Sequence, residues 1–299
     1  MEVKTIAEQL FFMTVRIDTV STNGGQGTGT GFFLGHKVNE IDYLFIATNK
    51  HVVMGQTEGK FSFLKQMDGL PALGDGVTLN VAPPEWSKMW FGHPDSSIDI
   101  AICPLEPLLQ IVKQQHGTDL FFRTVSTKMI PTNVQLKELD ALESVTFVGY
   151  PSGVWDSKNL LPVARRGTTA SPIDVDFEGT PRFIIDASVF RGSSGSPVFI
   201  FNQGYWASKQ GGLVVGDESR FLFVGVIAEV FFRTQMNQII PVSIPTQVQH
   251  MAEQQEMIDL GIVFKAHTVL DTIEAFLKSH NVDTSAPHDQ MLSNQSDSV

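Results

Sequence analysis

The chain has almost no cysteine, because Cys103 is the only one among its 299 residues. A single thiol excludes a disulfide framework within the chain and a cysteine-based zinc site. Histidine gives no metal signal either, since no His-x-x-x-His pair occurs. We therefore expect neither a metal nor another cofactor. We expect Cys103 to be a small buried hydrophobe rather than a nucleophile.

Basic residues are also scarce, with 21 lysines and arginines against 32 aspartates and glutamates and a formal net charge of −11. This balance argues against binding to nucleic acid or to anionic membranes, both of which require a basic face, although it also fits plain solubility. No run approaches the roughly 18 apolar residues of a membrane helix. The apolar run at residues 10–13 lacks the length and the basic flank of a signal peptide. We therefore expect a cytoplasmic protein.

Short apolar segments separated by turns dominate the chain up to about residue 245. Apolar residues make up 42% and charged residues 18%, which is typical of a globular protein. Apolar runs and period-2 alternation predict strands at residues 12–20, 29–34, 43–48, 61–64, 77–81, 98–103, 144–148, 161–164, 182–189, 198–201, 222–230 and 239–244. So many strands with few helices between them favour an all-β fold of barrels or a sandwich.

Helical spacing occurs in two places. Residues 105–115 are predicted to form a helix that bridges two halves of the chain. Residues 268–271 read Thr-Val-Leu-Asp, which predicts a capping box at the start of a C-terminal helix. That helix has one apolar face, which we expect to pack on the body: Val269, Ile273, Phe276 and Leu277. The polar residues from about 283 onward predict a solvated tail.

The most informative stretch is the turn Gly192-Ser193-Ser194-Gly195-Ser196, which lies between two apolar runs. Glycine allows backbone conformations in which a peptide N–H points into a cleft, and Pro197 suits the first residue of the next strand. This arrangement would present a serine hydroxyl beside an oxyanion hole. Turns of glycine and serine between strands are common, however, so the turn alone is more often structural than catalytic.

A nucleophilic serine needs a base within hydrogen-bond reach, and that base needs an orienting carboxylate. His51 follows the apolar segment 43–48, where a fixed backbone could aim an imidazole into a cleft. Asp99 is a lone carboxylate in the apolar segment 98–103, where burial is costly unless a donor such as an imidazole N–H meets it. Each residue alone fits a structural role equally well. The order His51, Asp99, Ser194, each in a strand–loop context, makes the combination specific.

These segments together resemble the trypsin/chymotrypsin-type serine peptidases, and most closely their bacterial HtrA/Deg-like, intracellular relatives without a PDZ domain. The pieces that carry the resemblance, within about residues 10–250, are Gly29-Thr30-Gly31-Phe32-Phe33, Thr48-Asn49-Lys50-His51-Val52, Asp99-Ile100-Ala101, Val148-Gly149-Tyr150-Pro151, Asp186-Ala187-Ser188, Arg191-Gly192-Ser193-Ser194-Gly195-Ser196-Pro197 and Val224-Gly225-Val226-Ile227-Ala228. The resemblance implies two six-stranded antiparallel β-barrels with the site in the cleft between them. The helical spacing near the end of the chain adds a C-terminal helical extension to this expected fold.

The roles that the resemblance implies fall on both halves of the chain. It implies His51 as general base, Asp99 as its orienting carboxylate and Ser194 as nucleophile, with the N–H groups of Gly192 and Ser194 as the oxyanion hole. Residues 1–125 are then expected to form the first barrel with the bridging helix. Residues 126–245 form the second barrel, and residues 246–299 a helical extension with a disordered tail.

The family's spacing also implies a pocket for the residue before the cleaved bond. Its base falls near Ser188, and its walls fall at Ile227, Ala228 and Glu229, with residues 240–242 as a further wall. Ser188 is neutral, so a lysine or arginine would enter the pocket without a countercharge. We therefore expect cleavage after small or medium apolar residues, unless Glu229 points inward.

Ser193 stands where secreted members carry an aspartate that pairs with a new N-terminus, so activation by N-terminal cleavage is not expected. We expect a protein or peptide substrate and gated activity. The gate would be a mobile loop at residues 204–218 or a regulatory protein partner at residues 246–280. Two alternatives stay open, a catalytically silent binding module and an α/β-hydrolase esterase. The esterase would need Gly-x-Ser-x-Gly and a histidine after the serine, whereas Gly195 comes one residue early.

Overall fold

The first half of the chain forms an eight-stranded sheet in the computed structural model, which describes residues 2–207, 209, 211–216, 220–235 and 254–282. Its strands are β1 (Thr14–Ser21), β2 (Gln26–Val38), β3 (Ile41–Thr48), β4 (Gln56–Met67), β5 (Leu70–Val81), β6 (Phe91–Gly92), β7 (Ala101–Pro104) and β8 (Val125–Ser126). They lie in the order β5-β4-β1-β2-β3-β7-β6, with β8 parallel beside β2. β6 and β8 have two residues each, so the longer strands carry the sheet.

Strand β3 is apolar along much of its length because its two faces lie in different cores. Ile46 packs with Ile17 in the core of the first half. Phe45 and Ala47 belong to a second cluster, which includes Phe223 of the second half. Successive side chains of a strand point to opposite faces, so a strand between two cores needs apolar residues at every position. The two halves of the chain therefore share a continuous apolar core.

The second half forms a closed barrel of six strands. The strands of this half are β9 (Ser144–Gly149), β10 (Val163–Thr169), β11 (Arg182–Asp186), β12 (Pro197–Asn202), β13 (Tyr205–Ala207), β14 (Leu213–Val215), β15 (Arg220–Gln235) and β16 (Gln254–Lys265). The barrel order is β10-β11-β16-β15-β12-β9, and β13 pairs only with β14 among the described strands. The predicted all-β fold is confirmed. The first half was predicted as a six-stranded antiparallel barrel, but the structure has an eight-stranded sheet there, in which β5 and β6 end the strand order and β8 is parallel.

Strand β16 corrects the predicted end of the second barrel at residue 245. Residues 254–265 were expected in a helical extension, but they lie between β11 and β15 and close the barrel. The physical reason is burial, since Ile262, Val263 and Phe264 are 5% exposed or less and fill the barrel wall. The strand predicted at residues 239–244 and the tail beyond residue 282 lie outside the described residues. The division of the chain near residue 125 stays a prediction.

The helices are short, with 4 to 13 residues each. They are α1 (Ile6–Leu10), α2 (Lys50–Val53), α3 (Glu85–Met89), α4 (Glu106–His116), α5 (Asn133–Glu138) and α6 (His267–Ser279), with 3-10 turns at Thr127–Met129, Pro151–Gly153 and Phe177–Gly179. α4 lies at the residues predicted for a helix, to within one residue at each end, but the chain after it returns to the first sheet, where β8 pairs with β2. Among the described helices, none has the length and apolar character needed to cross a bilayer.

Helix α6 packs on the body through its predicted apolar face. Val269, Ile273 and Leu277 are fully buried, and the ring of Phe276 meets that of Phe45 edge-on with centroids 5.5 Å apart. The predicted capping box is wrong, because the N-cap residue is Ala266 and it makes no side-chain cap bond. The helix starts early enough to bury the Thr268 side chain, whose hydroxyl donates to the Lys265 carbonyl at 2.8 Å.

Candidate active site

His51 and Asp99 meet at the end of the first sheet. β3 ends at Thr48, and α2 begins at Lys50, so His51 lies in the first turn of that helix. The His51 backbone N–H donates to Asp99 Oδ1 at 3.0 Å, and His51 Nδ1 lies 2.5 Å from Asp99 Oδ2. In this arrangement Nδ1 is the ring nitrogen that donates to the carboxylate, and Nε2 is the one that remains to act as a base.

The sequence predicted that Asp99 lies within a strand. In the structure, Asp99 lies in the loop just before β7. The Asn49 side-chain amide donates to the Asp99 carbonyl at 2.8 Å, and this bond fixes the loop beside α2. The Asp99 side chain is 20% exposed, whereas that of His51 is 48% exposed. The carboxylate therefore sits beneath an imidazole that solvent and substrate can reach.

Ser194 lies in the turn between β11 and β12, and its side chain is half-buried. The turn is fixed by its backbone, since the Thr30 N–H donates to the Ser194 carbonyl at 2.9 Å and the Gly195 N–H donates to Ile227 at 2.8 Å. The Ser194 hydroxyl donates to the Ala228 carbonyl at 3.2 Å. Within the described part of the chain, no hydrogen bond joins this hydroxyl to the His51 imidazole.

Gly195 brings the serine turn against the strands that lead to His51. It has a φ of +87°, and a Cβ at this position would lie 1.8 Å from the Thr30 carbonyl oxygen and 2.4 Å from Thr48 Oγ1. Only glycine allows so close an approach. Thr48 is the last residue of β3, three residues before His51. The turn that carries Ser194 and the helix that carries His51 therefore meet at one place.

Sequence reasoning missed the roles of Thr30 and Thr48. The Thr48 hydroxyl donates to the Thr30 carbonyl at 2.7 Å, the Thr30 hydroxyl donates to the Gly192 carbonyl at 2.9 Å, and the Tyr150 N–H donates to that same hydroxyl at 3.1 Å. Both threonines are completely buried. Their only sequence signal was their place in two of the matching motifs, which does not reveal a contact across the two halves.

The predicted oxyanion hole has two uncommitted N–H groups. Gly192 has a φ of +86°, and a Cβ there would lie 2.4 Å from the Tyr150 carbonyl oxygen. The Ser152 N–H donates to the Arg191 carbonyl. In a trans peptide the N–H points opposite to the carbonyl, so the Gly192 N–H points away from Ser152. Neither the Gly192 N–H nor the Ser194 N–H has an acceptor among the described residues.

The structure describes only part of the predicted substrate pocket. Ser188 is half-buried between Ala187 and Val189, whose neighbours are Asp259 and Gly261 of β16. The expected wall at residues 240–242 lies outside the described residues, so β16 is the wall that the structure describes.

The remaining predicted wall residues lie on β15. Ile227 and Ala228 are buried, and pairing with β16 is irregular between Ile227 and Glu229. The Glu229 side chain is exposed, which is not the inward orientation that would place a negative charge in a pocket.

Neither a thiol nor a metal cluster offers an alternative chemistry in the described part of the chain. Cys103 is fully buried in β7, and burial raises the pKa of its thiol far above the usual range. A thiol held in its protonated form is a poor nucleophile. No group of three or more histidine, cysteine or acidic side chains that could hold a metal ion occurs among the described residues.

The sequence and the structure were also compared with known proteins. A family model described as a trypsin-like peptidase domain matches residues 29–206, which is more than half of the chain. No curated protein matches the sequence. Among solved structures, a mutant of Rv3671c from M. tuberculosis H37Rv in its inactive form is 15% identical, with 93% of this chain and 92% of that chain covered at a TM-score of 0.41. Deg5 is 16% identical, with 74% and 81% covered at a TM-score of 0.40.

Proposed function

The chain belongs to the trypsin-like peptidase family, and we propose that it is a serine endopeptidase that uses Ser194, His51 and Asp99 as its triad. The observation that carries the proposal is the double hydrogen bond from His51 to Asp99 beside a serine turn with two uncommitted N–H groups. Each part has a defined task in peptide hydrolysis. Family membership also argues against the α/β-hydrolase esterase.

The reaction proceeds in two halves. Ser194 Oγ attacks the peptide carbonyl carbon while His51 Nε2 takes its proton, and Asp99 holds the Nδ1–H and stabilises the imidazolium. The Gly192 and Ser194 N–H groups donate to the oxyanion. The intermediate then expels the amine, which takes its proton from His51, and leaves an acyl-enzyme on Ser194. Water attacks this ester with His51 as base, releasing the acid and restoring the serine hydroxyl.

The hydrogen bond from Ser194 to Ala228 bears on the resting enzyme. Before attack, the hydroxyl must exchange the Ala228 carbonyl for His51 Nε2, a change that a rotation about the Ser194 Cα–Cβ bond can bring about. A hydroxyl that always stayed bonded to Ala228 could not act as a nucleophile, and the protein would then be the second candidate, a silent binding module. The two candidates therefore differ in whether the Ser194 hydroxyl becomes a nucleophile.

A fluorophosphonate probe distinguishes the two candidates. We expect the wild-type protein to be labelled by the probe and Ser194→Ala not to be labelled. Ser196→Ala is the matched control, because Ser196 belongs to the same turn but is fully buried, with no hydrogen-bond partner for its hydroxyl among the described residues. Folded wild-type protein that is never labelled would establish the binding module instead.

For the substrate, we propose cleavage after small or medium apolar residues. Support comes from the neutral side chain of Ser188 and from the exposed position of Glu229. A peptide library with every residue type before the cleaved bond tests this. Dominant cleavage after lysine or arginine would contradict the pocket assignment.

We further propose a cytoplasmic enzyme whose activity on proteins is gated. The predicted gating loop contains the β13–β14 hairpin, with residues 208, 210 and 217–219 outside the described part. For a regulatory partner at residues 246–280, α6 can offer only its polar face, since its apolar face is buried. Full activity of the isolated, untreated protein on casein would contradict gating.

A further inference from the structure

Arg16 reaches from the first half of the chain to the loop beside the oxyanion turn. It lies in β1, and its Nη1 donates to the Gly153 carbonyl at 2.8 Å. Its guanidinium also lies over the Trp155 ring at 5.2 Å from the centroid. The side chain is 17% exposed. An arginine that is mostly buried and bonded to a loop so distant in sequence fixes the position of that loop.

Asp18 holds this guanidinium in one orientation. Arg16 Nε lies 2.9 Å from Asp18 Oδ2, and Nη2 lies 2.8 Å from Oδ1. The Thr28 hydroxyl donates to the same carboxylate at 2.7 Å. Burial acts to raise the pKa of Asp18, but the hydrogen bonds from Arg16 and Thr28 outweigh it and lower the pKa below its usual range. The carboxylate is therefore ionised at neutral pH and keeps the arginine fork in place.

The loop that Arg16 binds has an unfavourable backbone. Ser152 has a φ of +50° and Gly153 a φ of +71°, so two successive residues lie in the left-handed region. Serine is uncommon in this region, and such a residue persists when surrounding contacts hold it there. The Arg16 bond to the Gly153 carbonyl is such a contact, and it acts on the residue directly after Ser152.

Ser152 in turn fixes the peptide that forms the oxyanion hole. Its N–H donates to the Arg191 carbonyl, and the Gly192 N–H therefore points the other way. If the loop moved, the Arg191–Gly192 peptide would lose the donor that holds its carbonyl. A rotated peptide would then present a carbonyl oxygen, instead of an N–H, to the developing negative charge.

We propose that Arg16 is a positioning residue for the oxyanion hole, acting through Gly153, Ser152 and the Arg191 carbonyl. The inference rests on the proposed peptidase function, since it names what holds one of the two donors. Arg16 touches neither substrate nor reacting atoms, so its effect falls on transition-state stabilisation. Through Arg16, the first half of the chain supports the oxyanion hole in addition to carrying His51 and Asp99.

The kinetic test compares Arg16→Ala and Arg16→Gln with Lys60→Ala. Lys60 Nζ also lies near Asp18, at 3.8 Å, but no hydrogen bond from Lys60 to Gly153 occurs in the described part of the chain. Loss of one oxyanion donor lowers kcat by about 100- to 1000-fold, so we expect both Arg16 variants to lose about 10- to 100-fold in kcat, with KM changed by less than about 3-fold. Lys60→Ala is expected to stay within about 2-fold of wild type in both constants.

Chemical rescue separates positioning from general damage. Arg16 borders two surface cavities of about 600 and 430 Å³, which give a small cation access to its place. Ethylguanidine added to Arg16→Ala is expected to restore at least about 5-fold in kcat, while Lys60→Ala does not respond. Wild-type kcat in both Arg16 variants, or a loss confined to KM, would overturn the inference.

A second readout does not depend on activity. In the wild-type protein the Ser152 amide proton is hydrogen-bonded to the Arg191 carbonyl, and we expect it to exchange at least about 10-fold faster in Arg16→Gln but not in Lys60→Ala. If the wild type proves inactive, the proposed function fails and this exchange measurement still decides the inference. An unchanged Ser152 exchange rate in a folded Arg16 variant would overturn it.

Discussion

His51 and Asp99 are held together by hydrogen bonds formed within the first half of the chain, whereas the turn that carries Ser194 depends on both halves. The imidazole, its carboxylate and the Asn49 amide all follow or precede neighbouring strands of one sheet. The serine turn instead rests on Thr30 of β2 and on Ile227 of β15. The position of the base thus depends on contacts within the first half, whereas the positions of the nucleophile and its oxyanion hole depend on how the two halves pack together.

The largest expected effect comes from the local arrangement. Asp99→Asn replaces an acceptor with an amide that cannot hold the Nδ1–H in the same way, so the imidazole loses its tautomer. We expect kcat on a peptide substrate to fall by about 10,000-fold, as measured by steady-state hydrolysis. The matched control is Asp95→Asn, because Asp95 is a nearby exposed carboxylate that accepts its hydrogen bonds from Ser97. Equal activity of Asp99→Asn and wild type would remove Asp99 from the triad.

The next effect tests the contact between the halves. In Gly195→Ala, the new Cβ would collide with the Thr30 carbonyl oxygen at a backbone φ of +87°. We expect a loss of about 3 kcal/mol or more in the free energy of unfolding, measured in urea. Gly204→Ala also has a positive φ but no atom within 4 Å of the new Cβ, so it is expected to cost only about 1 kcal/mol. Similar costs for both variants would show that the turn does not press against Thr30.

Thr30→Val probes the same boundary more gently. It removes the hydroxyl that donates to Gly192 and accepts from the Tyr150 N–H, and it leaves that buried N–H without a partner. We expect a loss of about 1–3 kcal/mol in unfolding free energy and a fall of about 10-fold in kcat. Thr14→Val is the matched control, because Thr14 is also buried in this sheet and its hydroxyl has no partner among the described residues. The two variants should therefore separate clearly in both assays.

The smallest effect concerns the charge that orients Arg16. The pKa of Asp18 is lowered in the folded protein, so its contribution to stability is present above the unfolded pKa and is lost as pH falls through the folded one. We expect Asp18→Asn to cost about 1 kcal/mol at pH 7 and progressively less as the pH falls below the usual pKa range of an aspartate, measured by urea unfolding across that pH range. A cost that does not change with pH would mean that the charge is not what stabilises this contact.

Much of the fold was predictable because strands with apolar runs and turn signals are local features. The all-β class, the helix α4 and the strand that begins at Pro197 follow from them. β16 was not predicted as a strand, because Gln254 to Glu256 give it a polar start that hides its buried end. Asp99 was predicted inside a strand at residues 98–103 but lies in the loop before β7. Ile98 and Ile100 of that loop are buried, so local apolarity does not distinguish it from a strand.

The contacts between the two halves of the chain could not be predicted from the sequence. Arg16 and Gly153 are 137 residues apart, and Thr30 and Gly192 are 162 apart, so no local pattern signals either pair. The order of histidine, aspartate and serine indicated which residue types belong together. It carried no information on what holds the serine turn or the oxyanion peptide in place, because that depends on packing between two sheets.

Mapping of the fluorophosphonate adduct tests the central claim most directly. Wild-type protein, His51→Ala and the matched control His93→Ala would be treated with the probe, digested and analysed by mass spectrometry for the modified serine. We expect an adduct on Ser194 in wild type and in His93→Ala, and its loss in His51→Ala. An adduct on another serine, or equal labelling of Ser194 without His51, would contradict it.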